Sequence, residues 1–255
     1  MQKFLFATLL SALALTLALP CAAEDLAAVQ DQGYIKFSMS GQYPPFNFVD
    51  ENNELAGFDV DICNNISNRI GVEPRPMSTA WDGIIAGLLA GKYELICGSM
   101  AITDERLKSI DFSDPYYRSG AQLFVKKDSG LESADDLAGK TVGVTLGTTY
   151  ENWVRKNLKD VEVRTYKGVP AMILEVVNGR IDGFITDRIV GAIAIDEKGA
   201  PIDLAGPLLY EERMGIAMRK GNPELKAAID DALEQMKEDG TYHDISMKWL
   251  KIDAR

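Results

Sequence analysis

Apolar residues are arranged along this chain in two alternating ways. Short runs rich in branched and aromatic residues recur at Tyr34 to Met39, Leu95 to Cys97, Gln122 to Val125, Thr141 to Val144, Val161 to Thr165, Ile181 to Thr186 and Gly215 to Met218. Such runs, bounded by polar and turn-forming residues, predict strands. Between them the apolar positions take helical spacing. Asp59 to Ile70 sets Ile62, Cys63, Ile66 and Ile70 on one stripe, and Pro223 to Glu238 opens on proline and closes at Asp239-Gly240, the punctuation of a helix start and stop. Strand and helix in alternation is the rhythm of a mainly parallel sheet covered by helices, so the expected fold class is α/β.

Two interruptions divide this rhythm. Arg118-Ser119-Gly120 follows the break Pro115-Tyr116-Tyr117, and Tyr210-Glu211-Glu212-Arg213 leads into the strand before the C-terminal helices. If the chain crosses between lobes at these points, residues 121–210 form an inserted lobe and residues 24–120 plus 211–255 form the other. A ligand then belongs in the cleft between them. No fixed-period repeat and no low-complexity linker breaks the pattern.

The first 23 residues are of another kind. Lys3 is their only charge, Phe4 to Leu19 is almost unbroken apolar sequence, and Cys21-Ala22-Ala23 gives way to Glu24 and Asp25. This predicts a cleaved secretory leader over residues 1–23 and a periplasmic product, because the apolar run is short for a membrane span. Cys21 is a poor lipidation site, since Leu19-Pro20 precede it where small residues are needed. Cleavage would leave 232 of the 255 residues and a formal charge of −12, against −11 for the whole chain. No later stretch is long and apolar enough to span a bilayer.

An acidic product gives a polyanion no electrostatic reason to approach, which disfavours nucleic acid as a partner. One histidine, His243, and three cysteines at unrelated spacings do not assemble a transition-metal site, and neither metal nor other cofactor is expected. Cys63 and Cys97 have the option of pairing in an oxidising compartment. Both lie in apolar runs, Val60-Asp61-Ile62-Cys63 and Leu95-Ile96-Cys97, and the expectation is two buried free thiols.

The most informative stretch is Gly57-Phe58-Asp59-Val60-Asp61-Ile62, a turn glycine followed by a helix start with acids in its first turn, where they favour the helix dipole. With Tyr43-Pro44-Pro45-Phe46 before it and Ile102-Thr103-Asp104-Glu105-Arg106 after it, this stretch resembles the family 3 extracellular solute-binding proteins, the polar amino-acid receptors of ABC importers. The resemblance runs from Tyr34 to Trp249 and includes Ile110-Asp111-Phe112-Ser113, Val142-Gly143-Val144, Gly147-Thr148-Thr149 and Asp239-Gly240-Thr241-Tyr242. It implies the two-lobed periplasmic-binding-protein fold (type II), with the ligand cleft between lobes joined by two hinge crossings. Ser67 departs from the family, which favours a small apolar residue there. The sequon Asn65-Ile66-Ser67 falls inside the expected helix and is taken as chance.

A free amino acid presents a carboxylate and an ammonium, so its receptor needs a planar cationic fork, a carboxylate and otherwise apolar walls. Arg106 offers the fork. By charge pattern alone it is a surface arginine in Asp104-Glu105-Arg106-Leu107-Lys108; the resemblance implies that it is the carboxylate clamp. Asp187 follows the run Ile181 to Thr186, which places it at the C-terminal edge of a strand, where open α/β sheets collect ligands. The resemblance makes it the ammonium acceptor, and it also suits an N-cap. Gly98, Ser99 and Ala101 match the loop from which relatives offer polar groups; Ala101 stands where serine or threonine is frequent, which puts one polar contact in doubt. Gly147-Thr148-Thr149 opens a helix whose N–H groups suit an anion, with Thr149 as the expected contact. Tyr43 and Trp81 match positions where relatives sandwich the ligand side chain, although Ile84, Ile85, Leu88 and Leu89 also suit Trp81 to a core.

Ser40 and Gln42 stand where some relatives that take basic amino acids carry an acid, which favours a neutral polar ligand, cystine- or glutamine-like, over arginine or lysine. Gly147 to Trp153 and Val163-Arg164-Thr165-Tyr166 resemble the cystine-binding branch, while Trp81-Asp82-Gly83-Ile84-Ile85 also occurs among basic amino-acid receptors. The expected protein is a monomeric binding component that hands its amino acid to an inner-membrane ABC permease. A dehydratase-like enzyme is disfavoured because Arg188-Ile189-Val190-Gly191 supplies no carboxylate beyond Asp187. A ligand-sensing protein acting through a separate signalling partner stays open.

Overall fold

The computed structural model describes residues 26–255; the expected leader lies outside them. In chain order the strands are β1 (Tyr34–Met39), β2 (Gln42–Tyr43), β3 (Asn47–Val49), β4 (Leu55–Ala56), β5 (Glu73–Ser78), β6 (Leu95–Ala101), β7 (Ile110–Phe112), β8 (Tyr117–Lys126), β9 (Thr141–Thr145), β10 (Glu162–Tyr166), β11 (Gly183–Asp187) and β12 (Ile202–Arg219). The helices are α1 (Leu26–Gln32), α2 (Phe58–Arg69), α3 (Ile84–Leu89), α4 (Asp104–Leu107), α5 (Thr149–Asn157), α6 (Val169–Val177), α7 (Arg188–Asp196), α8 (Pro223–Glu238) and α9 (Thr241–Leu250).

Eight strands follow one another in the order β10-β9-β11-β8-β12-β6-β1-β5, with β7 joined to β12; β2, β3 and β4 form a separate small sheet. The outer pairings are parallel, β1 with β5 and β6, and β9 with β10 and β11. The middle is antiparallel, since β8 runs against β11 and β12, and β12 against β6. The alternating pattern thus describes each half correctly, and the two antiparallel strands are what join the halves. Their register sets the two expected crossings side by side, with Arg118, Ser119 and Gly120 opposite Arg213, Glu212 and Glu211.

Every residue of β6 and β11 is buried, as expected of interior strands covered on both faces. β5, Glu73-Pro74-Arg75-Pro76-Met77-Ser78, carries two prolines and is not foreseen by the apolar pattern. It sits at the sheet edge, pairing with β1 alone, where proline's missing donor costs no ladder bond.

The Gly57 to Ile62 stretch divides its two acids between two tasks. Gly57 has φ 128°, and a Cβ there would lie 2.4 Å from Phe46 O, so only glycine lets the chain enter α2 against the Pro45-Phe46 turn. Asp59 is buried beneath the sheet end, whereas Asp61 accepts from Trp249 Nε1 at 2.6 Å and Lys248 Nζ at 2.7 Å and fastens α9 to α2. Ser67, the family departure, donates to Cys63 O at 2.7 Å and so satisfies its hydroxyl within its own helix.

The structure corrects the expectation of free thiols: Cys63 of α2 and Cys97 of β6 form a disulfide, with Cα atoms 6.5 Å apart. The apolar setting of both residues is as expected, but burial and pairing are compatible, and spacing along the chain does not reveal Cα separation.

Candidate functional site

One wall of the site is built on Asp59. Its carboxylate is fully buried and accepts from Asn47 Nδ2 at 2.7 Å, Tyr116 Oη at 2.6 Å and Ser99 Oγ at 2.9 Å. Burial raises its pKa to about 6 against the pull of these three donors. Ser99 has a positive φ of 56°, a costly conformation for serine. It is held there by that Oγ contact and by its own N–H, which donates to Tyr116 Oη at 3.0 Å. The register of β6 against β12 shifts between Ile96 and Met100, so Ser99 sits in a bulge that turns it out of the ladder.

Beyond the bulge, Thr103 caps α4 by accepting from Arg106 N at 3.2 Å. Arg106 Nη1 donates to Ala101 O at 2.8 Å, and its guanidinium lies 6.0 Å from the Trp81 ring centroid. Ala101, which lacks the hydroxyl frequent in relatives, thus aims the guanidinium through its carbonyl. No carboxylate forms an ion pair with Arg106 among the described residues. Burial lowers its pKa, with the charge of Glu212 the largest opposing influence.

The facing wall comes from the other half of the sheet. Thr148 caps α5 by accepting from Glu151 N at 3.3 Å, and Glu151 Oε2 takes the Gly147 N–H at 2.8 Å. Two of the N–H groups expected to meet an anion are therefore used internally, and Thr149 carries the helix start to the cavity. Asp187 is completely buried at the end of β11. Its Oδ1 accepts from Ile189 N at 2.7 Å and Ser119 Oγ at 2.8 Å, so it does cap α7, while Oδ2 is buried without a partner. Burial raises its pKa to about 7, and the charge of Glu212 pushes the same way.

The walls meet. Tyr43 Oη lies 3.4 Å from Tyr150 Oη, and a Cβ at Gly168 would come within 2.5 Å of Gln42 O. Between them is a narrow cavity of about 30 Å³ whose lining includes Tyr43, Trp81, Gly98, Ser99, Ala101, Arg106 and Thr149. Seven of the eight residues singled out in the sequence are brought together here, and Asp187 stands outside the lining set.

Five lining residues escape sequence reading: Thr145, Tyr150, Lys167, Gly168 and Glu212. Glu212 is 8% exposed, and its Oε2 is buried without a hydrogen-bond partner. Burial raises its pKa, opposed by Thr149, Arg106, Tyr150 and Tyr210. Only its alternation with Tyr210 and Met214 marked a face, and which face was not readable without the register. Lys167 and Gln42 reach the lining while remaining exposed.

Among the described residues no group of three or more His, Cys, Asp or Glu side chains is placed to hold a metal, and no helix is long and apolar enough to cross a membrane. His243 lies 3.4 Å from Asp253 near the C-terminus, outside the cavity lining. The arrangement suits a small zwitterion: a fork without an ion pair among the described residues, the Glu212 carboxylate in the same lining, and aromatic rings beside them.

A family model described as bacterial extracellular solute-binding proteins, family 3, matches residues 35–252. The L-cystine-binding protein TcyJ of Escherichia coli (strain K12) is 37% identical over 228 residues, covering 89% of this chain and 86% of that one. Among solved structures, an ancestral arginine-binding protein bound to arginine is 40% identical, with TM-score 0.80 over 85% of this chain and 98% of its own. The ancestral amino acid-binding protein AncCDT-1, a precursor of cyclohexadienyl dehydratase, is 36% identical, with TM-score 0.83 over 88% of this chain and 99% of its own.

Proposed function

The chain belongs to the bacterial extracellular solute-binding proteins, family 3, and from that premise we propose that it captures a polar L-amino acid between two closing lobes and delivers it to an ABC-type permease. The observation that carries this reading is the unpaired Arg106 guanidinium, aimed by Ala101 O into a ring-lined cavity between the halves of the sheet. In the proposed complex Arg106 holds the α-carboxylate, Ser99 and Thr149 add polar contacts, and Tyr43 and Trp81 enclose the side chain. The lobes are residues 24–120 with 211–255, and 121–210; β8 and β12 are the hinge, so closure and capture share one equilibrium. A neutral, cystine-like ligand is favoured by the cystine-binding relative and by the lack of an acid at Ser40 and Gln42, with arginine the next choice. Export to the periplasm follows the expected leader.

The test is thermal denaturation of protein unfolded and refolded to remove carried-over ligand, against the common L-amino acids and L-cystine. Binding to the folded state alone raises the midpoint. The expected outcome is a rise confined to one or a few amino acids. Arg106→Ala is expected to fold and to lose about 3 to 5 kcal/mol of binding, because a ligand carboxylate is left unpaired in a closed cleft. Unchanged affinity in that variant would overturn the assignment.

A second reading has one observation behind it. Glu212 supplies the buried carboxylate, with its pKa raised, that the sequence alone does not place in the cavity, and such a group suits acid catalysis. Mass spectrometry of the ligand recovered after prolonged incubation separates the two: an unchanged amino acid supports capture, a dehydrated or decarboxylated product supports an enzyme.

A further inference from the structure

Two buried carboxylate oxygens in the middle of the molecule have no hydrogen-bond partner, Asp187 Oδ2 and Glu212 Oε2. Their strands flank β8, and the register shows that they share a face. Asp187 stands opposite Ala121, and Glu212 opposite Ser119. Ser119 and Ala121 are two residues apart on one strand and so project to the same side, as do their cross-strand partners. Ser119 links the two, since its Oγ donates to Asp187 Oδ1 at 2.8 Å.

An unsatisfied buried carboxylate is expensive, and two on one face of the sheet more so. Neither acid forms an ion pair among the described residues, and Arg106, the cation whose charge acts on Glu212, is engaged by Ala101 O. Donors from outside the chain would relieve both. An α-ammonium has three N–H donors and lies one carbon away from the α-carboxylate, so the acid that receives it must stand close to the group that holds the carboxylate. Glu212 meets that condition and Asp187 does not meet it as well. Glu212 lines the cavity with Arg106 and is the leading charge acting on it, whereas Asp187 is outside the lining.

We infer that Glu212 is a ligand-binding residue, the carboxylate that receives the α-ammonium on the cavity side, with Asp187 on the same face of the sheet behind it. The inference rests on the amino-acid reading above and adds a residue to it. It also places one ligand contact on a crossing strand itself, so the ammonium bears directly on the segment about which the halves would move.

Isothermal calorimetry on refolded, ligand-free protein tests this with L-cystine, L-glutamine and L-arginine. Each is paired with its deamino analogue: 3,3′-dithiodipropionic acid, which lacks both α-amino groups of cystine, glutaramic acid and 5-guanidinopentanoic acid. Glu212→Gln keeps the size and an acceptor oxygen and removes the charge. For whichever amino acid the wild type binds, the variant is expected to weaken binding about 10- to 100-fold while changing the affinity for the matching deamino analogue less than about 3-fold. Glu212→Asp is expected to recover part of the loss. Equal binding of the amino acid by wild type and Glu212→Gln, or an equal loss for the amino acid and its deamino analogue, overturns the inference while leaving the amino-acid reading intact. Failure of the wild type to bind any amino acid overturns both.

Discussion

Asp59 and Asp187 are the same residue type, both completely buried, one in the first turn of α2 and the other at the end of β11. Their surroundings differ in one respect. Three side-chain donors converge on Asp59, and both of its oxygens are used. On Asp187 the two donors share one oxygen and the other has none. The pKa values follow, about 6 for Asp59 and about 7 for Asp187. A buried charge whose donors come from the chain is architecture, and Asp59 sets the Ser99 bulge in place. A buried charge left short is a vacancy for something that arrives later, and Asp187 shares that state with Glu212. Arg106 is the cationic counterpart, oriented by one carbonyl and otherwise unclaimed.

If that contrast is right, breaking the satisfied side should damage folding first. Asp59→Ala leaves Asn47 Nδ2, Ser99 Oγ and Tyr116 Oη without their acceptor, and each buried orphan costs about 1 to 3 kcal/mol. Urea unfolding is expected to show a loss of at least about 3 kcal/mol, with ligand binding falling alongside as Ser99 leaves its bulge. A fully stable Asp59→Ala protein would mean that the network is decoration. The disulfide fastens the same side. Opening the Cys63–Cys97 link, which closes 34 residues of chain, with a reductant or by the double change to serine, should cost about 3 to 4 kcal/mol in the unfolding midpoint analysis.

The unsatisfied side should answer in the opposite sense, and least. Asp187 faces Glu212, Tyr43, Tyr117 and Tyr150, none of them cationic, with Ser119 and the Ile189 N–H as donors. Burial holds its folded pKa at about 7, well above the ordinary aspartate value of 3.8. The folded state therefore binds the proton more tightly than the unfolded state, and this group's contribution to stability is lost as pH rises from about 4 through 7. Asp187→Asn retains a competent cap and removes the charge. Without ligand it is expected to match the wild type near pH 4 and to exceed it by about 1 to 3 kcal/mol at pH 8, while binding amino acids worse. A variant less stable than the wild type at pH 8 would show that Asp187 is fastened like Asp59.

Much of this was legible in the sequence where local rules decide. Tyr34 to Met39 and Pro223 to Glu238 fall where the pattern sets them, because apolar spacing and end punctuation act over a few residues. Elements governed by long-range pairing were less so. The first part of β12, Ile202 to Leu209, is interrupted by Gly206-Pro207 and becomes a strand only against β8, and β5 needs the edge position to tolerate its prolines. Seven site residues are assembled as the motifs suggest, since each motif is a local turn or cap. Glu212 was hidden because nothing nearby in the chain distinguishes it from Glu211; the register, which turns one inward and leaves the other exposed, depends on a strand ninety-odd residues earlier. The cysteine pair failed for the same reason.

The pairing of β6 and β7 with β12 also has a temporal side. Leu95 to Ala101 pair early with β1 but find their second neighbour only at Met214 to Met218, and α2 packs on α8 and α9, the last helices of the chain. The half containing β9, β10 and β11 is contiguous and has its partners within reach as soon as residue 205 or so has emerged. The other half begins first and is completed last, so its contacts close a loop of more than a hundred residues, and closing such loops slows folding. As the chain assembles, the wall bearing Arg106 is therefore finished after the wall bearing Asp187, and the pocket becomes functional only when the final helices dock.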